Sequence, residues 1–224
     1  VAPAMPPTKE LVLGVAIMAI GFILEFINTF VLGGTGPSGP DVFPASIAQW
    51  DASLLLSINP TLLSPAPNIF FALITNAGSM LAVVILCVFL YWFGYRREAA
   101  LIFATVVIGT LIVAPLKLAI LRPRPYSTLP AVVPLVIESG SSFPSGHSER
   151  IFALAAVFPT KKSWKVLFLY LLAFTVAFSR IYVGVHYPLD VAVGVLIGLI
   201  VGKITLRLQK RVWTIAKRLA NLFG

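Results

Sequence analysis

The chain has 224 residues, 58% hydrophobic and 11% charged, with a formal net charge of +9 and a mean hydropathy of +0.96. Soluble domains run at about 45–50% apolar and about 25% charged, so these values exclude one and define a single membrane domain over 1–224. The positive balance does not imply nucleic acid as a partner. Nucleic-acid binders gather basic residues among aromatics on a polar domain, whereas here the charges sit between apolar runs, as topology charges do.

Residues 1–9 are a Pro-rich lead-in, and Leu11–Leu32 is a first spanning candidate carrying Glu25 and Asn28. Its length argues against a short cleavable signal peptide. Glu25 reads as a neutral, bundle-facing carboxyl, because buried carboxyls protonate or pair. Gly33–Pro67 is a loop punctuated by Gly and Pro. Within it Ala45–Ile58 reads as a short interfacial helix with Ile47, Trp50, Leu54 and Ile58 on one side. Further spans are expected over Ile69–Phe93, Ala99–Leu121, Ile151–Phe158, Trp164–Phe178 and Pro188–Leu206. The predicted fold class is therefore all-α, a six-transmembrane-helix bundle, with a catalytic core at about 99–206. From Lys203 to 224, basic and apolar residues take different sides, as in an amphipathic helix on an anionic leaflet. The single cysteine, Cys87, lies in an apolar run, so neither a disulfide framework nor a Cys-based metal site is expected.

With six spans, twelve of the seventeen Lys and Arg fall on the side that holds both termini. By the positive-inside rule that side is cytoplasmic. The opposite side keeps Lys117, Arg122, Arg124, Arg150 and Arg180. Depth follows from helical rise: Gly146 to Lys161 is 15 residues, or roughly 22 Å against a hydrocarbon core of roughly 30 Å. Polar groups near Gly146 are thus expected somewhat below the extracytoplasmic surface, within reach of an amphiphile whose tail stays in lipid.

Those five cations lie in or beside three clusters at the outer ends of helices 3 to 6: Lys117 to Pro125, Pro144-Ser-Gly-His147, and Ser179-Arg180 with His186 and Asp190. Both histidines of the chain lie in them, and ionisable groups at membrane depth mark function by default. Metal-free hydrolysis of a phosphate ester needs fixed cations, because charge shifts among the phosphate oxygens in the transition state. Lys117, Arg124 and Arg180 supply three, and the arginines are forked. Ser145 and Gly146 add a hydroxyl and backbone N–H groups at a helix start, where glycine permits close approach. Asp190, four residues after His186, can hold one imidazole nitrogen and leave the other free to attack. His147 remains as the proton donor. Arg122 and Arg150 are candidate contacts to a second phosphate; Arg150 could instead pair with Glu149 or Glu138. Tyr126, Tyr182 and Tyr187 read as packing or interface aromatics. Two histidines and one aspartate could ligate zinc, but the surrounding cations would repel it; no metal and no cofactor is expected.

These clusters resemble the three signature motifs of the type 2 phosphatidic acid phosphatase superfamily, the integral-membrane lipid phosphate phosphatases. Lys117 with Arg124-Pro125 matches the first motif, Pro144 to His147 the second, and Ser179, Arg180, His186 and Asp190 the third. The resemblance is specific from Lys117 to about Gly194 and looks prokaryotic around Val183–Asp190. It implies six spans, His186 as a nucleophile forming a phosphohistidine, Asp190 as its partner and His147 as proton donor. Lys117, Arg124, Ser145, Gly146 and Arg180 would hold the phosphate. The expected partners are the bilayer and an amphiphilic lipid phosphate: a polyprenyl diphosphate such as undecaprenyl or dolichyl diphosphate first, phosphatidylglycerol phosphate or phosphatidate next. A phosphotransferase using the same intermediate, and a transporter using the cations only to bind, are the alternatives.

Overall fold

The computed structural model describes residues 41–59, 65–158 and 163–222, and these form helices and loops with no strand among them. The longer helices are α1 (Ala45–Ile58), α2 (Pro65–Ile74), α3 (Met80–Trp92), α4 (Arg96–Ile120), α5 (Gly146–Val157), α6 (Ser163–Tyr182) and α7 (Pro188–Leu222), with one further helical turn at Pro125–Thr128. By length and composition α4, α6 and α7 can each cross a membrane, and α2 with α3 makes a fourth crossing if the bent pair counts as one. Their outer faces are apolar: Leu111 and Leu118 on α4, Phe168, Leu171 and Phe174 on α6, and Leu196 and Ile200 on α7 are all exposed. In water that surface would be a liability; in lipid it is solvated. The expected first span Leu11–Leu32, with Glu25, lies outside the described residues.

Three expectations change in detail. The span over Ile69–Phe93 is broken: a single 3-10 turn, Thr75–Gly78, separates α2 from α3, and the two bend by 59°. Gly78 favours the break by propensity, and Ser79 restarts the helix as its N-cap, accepting from the Ala82 N–H at 3.1 Å. The expected fourth span, Ile151–Phe158, coincides with the later part of α5 up to Val157, and the helix's 12 residues cover only about 18 Å. This helix is enclosed by α4, α6 and α7, and nearly all of its residues are buried. Finally, α7 does not stop at Leu206. It runs unbroken for 35 residues, roughly 52 Å, because no Gly or Pro interrupts 203–222. Arg97 Nη2 donates to Gln209 Oε1 at 2.8 Å, tying this extension to the start of α4.

The core contact is α5 against α7. Gly194, Gly198 and Gly202 line one face of α7 at intervals of four, the small-residue spacing that lets membrane helices approach closely. A Cβ at Gly194 would lie 3.2 Å from Ser148 Cβ, and one at Gly198 would run into the Glu149 carbonyl. This proximity joins the two helix starts: the Ser145 N–H donates to the Asp190 carbonyl at 3.0 Å. Replacing Gly198 by Ala should therefore lower the melting temperature in detergent. Overpacking costs about 1–3 kcal/mol, more than the roughly 1 kcal/mol that alanine returns in helix propensity. An unchanged or higher melting temperature would contradict the close α5–α7 contact.

Candidate active site

Four chain segments meet at one end of this bundle. Helix α4 stops when Leu121 turns left-handed, φ 48°, and its N–H closes on the Lys117 carbonyl. Arg122-Pro-Arg124-Pro follows, and each arginine precedes a proline, which disfavours helix. Arg124 has φ −74° and ψ 149°, a polyproline-like geometry with about three residues per turn, so side chains two apart leave in different directions. Helix α6 ends at Tyr182, and the chain reverses at Gly184, φ +78°, where a Cβ would come within 2.9 Å of Val132. Pro188 then opens α7. Asp190, in the first turn, reaches back to accept from the Tyr187 N–H at 3.0 Å, a capping-box arrangement.

One side of this junction is a buried ionic network. Arg122, fully buried, donates through Nη1 to Asp190 Oδ1 at 2.6 Å and through Nη2 to Asp41 Oδ2 at 2.6 Å. Asp51 Oδ2 lies 2.8 Å from Nη2 as an ion pair without hydrogen-bond geometry. The guanidinium carbon sits 3.8 Å from the Tyr187 ring centroid and 4.8 Å from that of Phe43, a stacked cation–π pair. Asp51 comes from α1, whose exposed Ile47, Trp50 and Leu54 are the predicted apolar side, while Asp51 and Leu55 point inward. The expectation of a phosphate contact for Arg122 is corrected here: three carboxylates occupy its fork.

Asp190 passes this anchoring to His186. Its Oδ2 accepts from Ser142 Oγ at 2.5 Å and lies 3.6 Å from His186 Nδ1. On the far side of the ring, Arg124 Nη1 is 3.2 Å from His186 Nε2. An arginine only donates, so Nε2 is the accepting nitrogen and the ring proton sits on Nδ1, toward Asp190. Burial, and then the Arg124 charge, push the imidazole down to about 3. At neutral pH it is uncharged, with its Nε2 lone pair turned toward the cations.

The other side is a cationic cradle, and a carboxylate sits in it. Glu138 Oε1 bonds to Arg180 Nη2, and Oε2 is 3.1 Å from Arg124 Nη1. The same carboxylate lies 3.8 Å from His147 Nδ1 and 3.9 Å from His186 Nε2. Burial would raise the Glu138 pKa, but the charges of Arg180, His147 and Arg124 hold it well below the ordinary 4.5. Both arginines are also held independently. Arg124 donates to the Ser139, Gly140 and Val185 carbonyls at 2.8, 3.1 and 3.0 Å, and Arg180 Nη1 to Thr75 Oγ1 at 2.5 Å. Among the described residues Arg180 Nε has no hydrogen-bond partner.

The remaining predicted residues lie around this cradle at different distances. Lys117 Nζ donates to the Ser141 carbonyl at 2.6 Å. Ser145 caps α5 and accepts from the Ser148 hydroxyl at 2.9 Å, which leaves its own O–H as a donor. Arg150 Nε donates to the Gly78 carbonyl at 2.9 Å, and its Nη1 would touch a Cβ built on Gly146 at 3.2 Å. It therefore lies over the first turn of α5; no ion pair to Glu149 or Glu138 is among its described contacts. Sequence reasoning missed Asp41, Asp51, Ser142 and Thr75, and saw Glu138 only as a partner for Arg150. All are single polar residues whose partners lie far away in the chain, so no spacing pattern marks them.

Residues 98–214 match the sequence model of the PAP2 superfamily. The crystal structure of Aquifex aeolicus LpxE is similar at TM-score 0.64 and 34% identity, over 69% of this chain and 93% of that one. The first transmembrane PAP2 type phosphatidylglycerolphosphate phosphatase from Bacillus subtilis is similar at TM-score 0.66 and 23% identity, over 88% and 96%, a likeness of fold. No curated protein matches significantly. Together these define an enzyme, a membrane lipid phosphatase of the hydrolase class. The chain belongs to the type 2 phosphatidic acid phosphatase superfamily.

The Arg122 network carries an excess of buried negative charge, and that gives it a signature. Arg122→Leu should cost about 3–5 kcal/mol, since it strands two buried carboxylates, Asp51 and Asp190, and the half-buried Asp41. Asp51→Asn keeps an oxygen for the Leu189 N–H, which Asp51 Oδ1 accepts at 2.9 Å, and removes one excess charge; it should cost less than about 1 kcal/mol. Chemical unfolding in detergent measures both. Similar losses for the two variants would contradict the described charge balance.

Proposed function

We propose that the protein hydrolyses a phosphate ester or anhydride on a membrane lipid through a phosphohistidine on His186. One observation supports this best: an anion, the Glu138 carboxylate, is gripped by Arg124 and Arg180 between the two imidazoles. A phosphoryl group bound there has His186 Nε2 on one side and His147 on the other, the arrangement that in-line transfer needs. The Nε2 lone pair attacks phosphorus and the bond to the leaving oxygen breaks. His147, whose protonated form the bound phosphate charge favours, gives its proton to that oxygen. Asp190, fixed by Arg122 and Ser142, stabilises the imidazolium that forms. His147 then takes a proton from water, whose oxygen attacks the phosphohistidine and releases inorganic phosphate. Arg124, Arg180, Lys117, the Ser145 hydroxyl and the Gly146 N–H offset the charge on the phosphoryl oxygens.

The substrate class follows from the surroundings. The site lies at the end of helices whose flanks face lipid, so a headgroup can enter while its tail stays in the bilayer. A polyprenyl diphosphate, such as undecaprenyl or dolichyl diphosphate, is the first choice, because Arg150 lies one helical turn from His147 and can meet a second phosphate. Phosphatidylglycerol phosphate and phosphatidate are the alternatives. With Arg96, Arg97 and the basic end of α7 at the opposite pole, the positive-inside rule turns the site away from the cytoplasm and both termini toward it.

In neutral detergent micelles containing EDTA, the wild type should release phosphate from farnesyl diphosphate and from phosphatidate. His186→Ala should lose activity by a factor on the order of 10⁴ or more. Phosphate release that survives His186→Ala would rule out the nucleophile assignment. Arg150→Ala should lower kcat/KM for the diphosphate about tenfold more than for the monophosphate, the worth of one charged hydrogen bond. Equal losses would remove Arg150 from the second-phosphate role.

A further inference from the structure

The Glu138 carboxylate is a substrate-shaped group at the centre of the site, and nothing in the proposed chemistry uses it. Its two oxygens engage the two arginines proposed to hold phosphate, and it sits within 4 Å of both imidazoles. The cradle does not depend on it, since Arg124 and Arg180 are fixed by four other hydrogen bonds. The backbone at Glu138 is pinned as well: its carbonyl accepts from the Tyr126 hydroxyl, and the next two carbonyls hold Arg124. The side chain is nevertheless 26% exposed, whereas those of Arg124 and Arg180 are 6% and 0%. Glu138 can therefore rotate out about its own side-chain bonds while the cations stay in place.

We infer that Glu138 is a specificity-determining residue: its carboxylate holds the phosphate position and yields only to headgroups more negative than itself. The inference rests on the anion-site reading above and names the class of lipid that reading admits. A site open to the bilayer faces a large excess of phosphodiester lipids, each with one negative charge on its phosphate. Exchanging the carboxylate for such a group leaves the cradle's charge unchanged and gains nothing electrostatically. A phosphomonoester brings about −1.5 to −2 at neutral pH, and a diphosphate at least as much. The surplus charge meets Arg124, Arg180 and Lys117 in a site of low dielectric, where it counts for most. Discrimination thus comes from a built-in competitor of matched charge, a repulsive element set against the abundant wrong ligand.

The test is inhibition of phosphate release from phosphatidate in neutral detergent micelles by added phosphatidylglycerol, with a phosphate-free lipid, monogalactosyldiacylglycerol, at equal mole fraction as the dilution control. Wild type should respond equally to the two lipids. Glu138→Gln, which keeps the shape and removes the charge, should become sensitive to phosphatidylglycerol, with an apparent inhibition constant about tenfold lower or more, and its KM should fall. Glu138→Asp retains the charge on a shorter arm and should lie between the two. Unchanged phosphatidylglycerol sensitivity in both variants overturns the gate. So does a fall in kcat without that sensitivity, which would give Glu138 a role in the chemistry instead. If wild type releases no phosphate from phosphatidate or from farnesyl diphosphate, the anion-site reading itself fails and the gate with it. Release by wild type with unaltered selectivity in the variants sinks the gate alone.

Discussion

The site depends on a single guanidinium with no access to water. Arg122 ties the extended segment after α4 to α1, to the segment ahead of α1 and to the first turn of α7 through Asp51, Asp41 and Asp190. In a low-dielectric interior an ion held this way fixes geometry strongly, because any partner that lets go is left charged and unpaired. The consequence for chemistry runs through Asp190. One of its oxygens belongs to Arg122, so the other stays directed at Ser142 and the His186 ring. The imidazole is thereby held in one tautomer, with its free nitrogen facing the cradle.

Beyond that ring the balance of charge reverses. Arg122 sits among carboxylates, whereas Arg124 and Arg180 meet a single carboxylate, Glu138, with Lys117 nearby. The two arginines of Arg-Pro-Arg-Pro thus face opposite ways: the first holds Asp190 beside the histidine, the second meets the Glu138 carboxylate. Helix packing makes this possible. The glycine face of α7 brings the start of α5 against it, so that Ser145 and Asp190 join by a backbone hydrogen bond. The kink at Gly78 and Ser79 places Thr75 on Arg180 and the Gly78 carbonyl on Arg150.

Much of this was legible in the sequence, because charged residues in an apolar chain stand out and their spacing is regular. Arg124, Arg180, His147 and His186, with Asp190 expected as the partner of His186, do converge, and α1 spans the predicted Ala45–Ile58. The bend at Ser79 was hidden, since hydropathy stays high on both sides of it and only Gly78-Ser79 hints at a restart. The length of α7 was hidden for the opposite reason: a change in charge pattern at Lys203 suggested a boundary that the backbone does not make. Arg122 and Arg124 look alike in one dimension, and only the polyproline-like turn between them separates their partners. Glu138 carried no signal as the anion in the cradle, lying in an irregular loop where the two arginines it meets are fourteen and forty-two residues away.

The most direct measurement is where the phosphoryl group goes. Wild type should be mixed with phosphatidate, quenched in base within the first turnovers, digested, and examined by tandem mass spectrometry under conditions that preserve phosphoramidates. The account predicts an acid-labile phosphoryl group on His186 that disappears as turnover is completed. A phosphoryl group on His147 or on a serine, or steady turnover with His186 unmodified at every quench time, would contradict it.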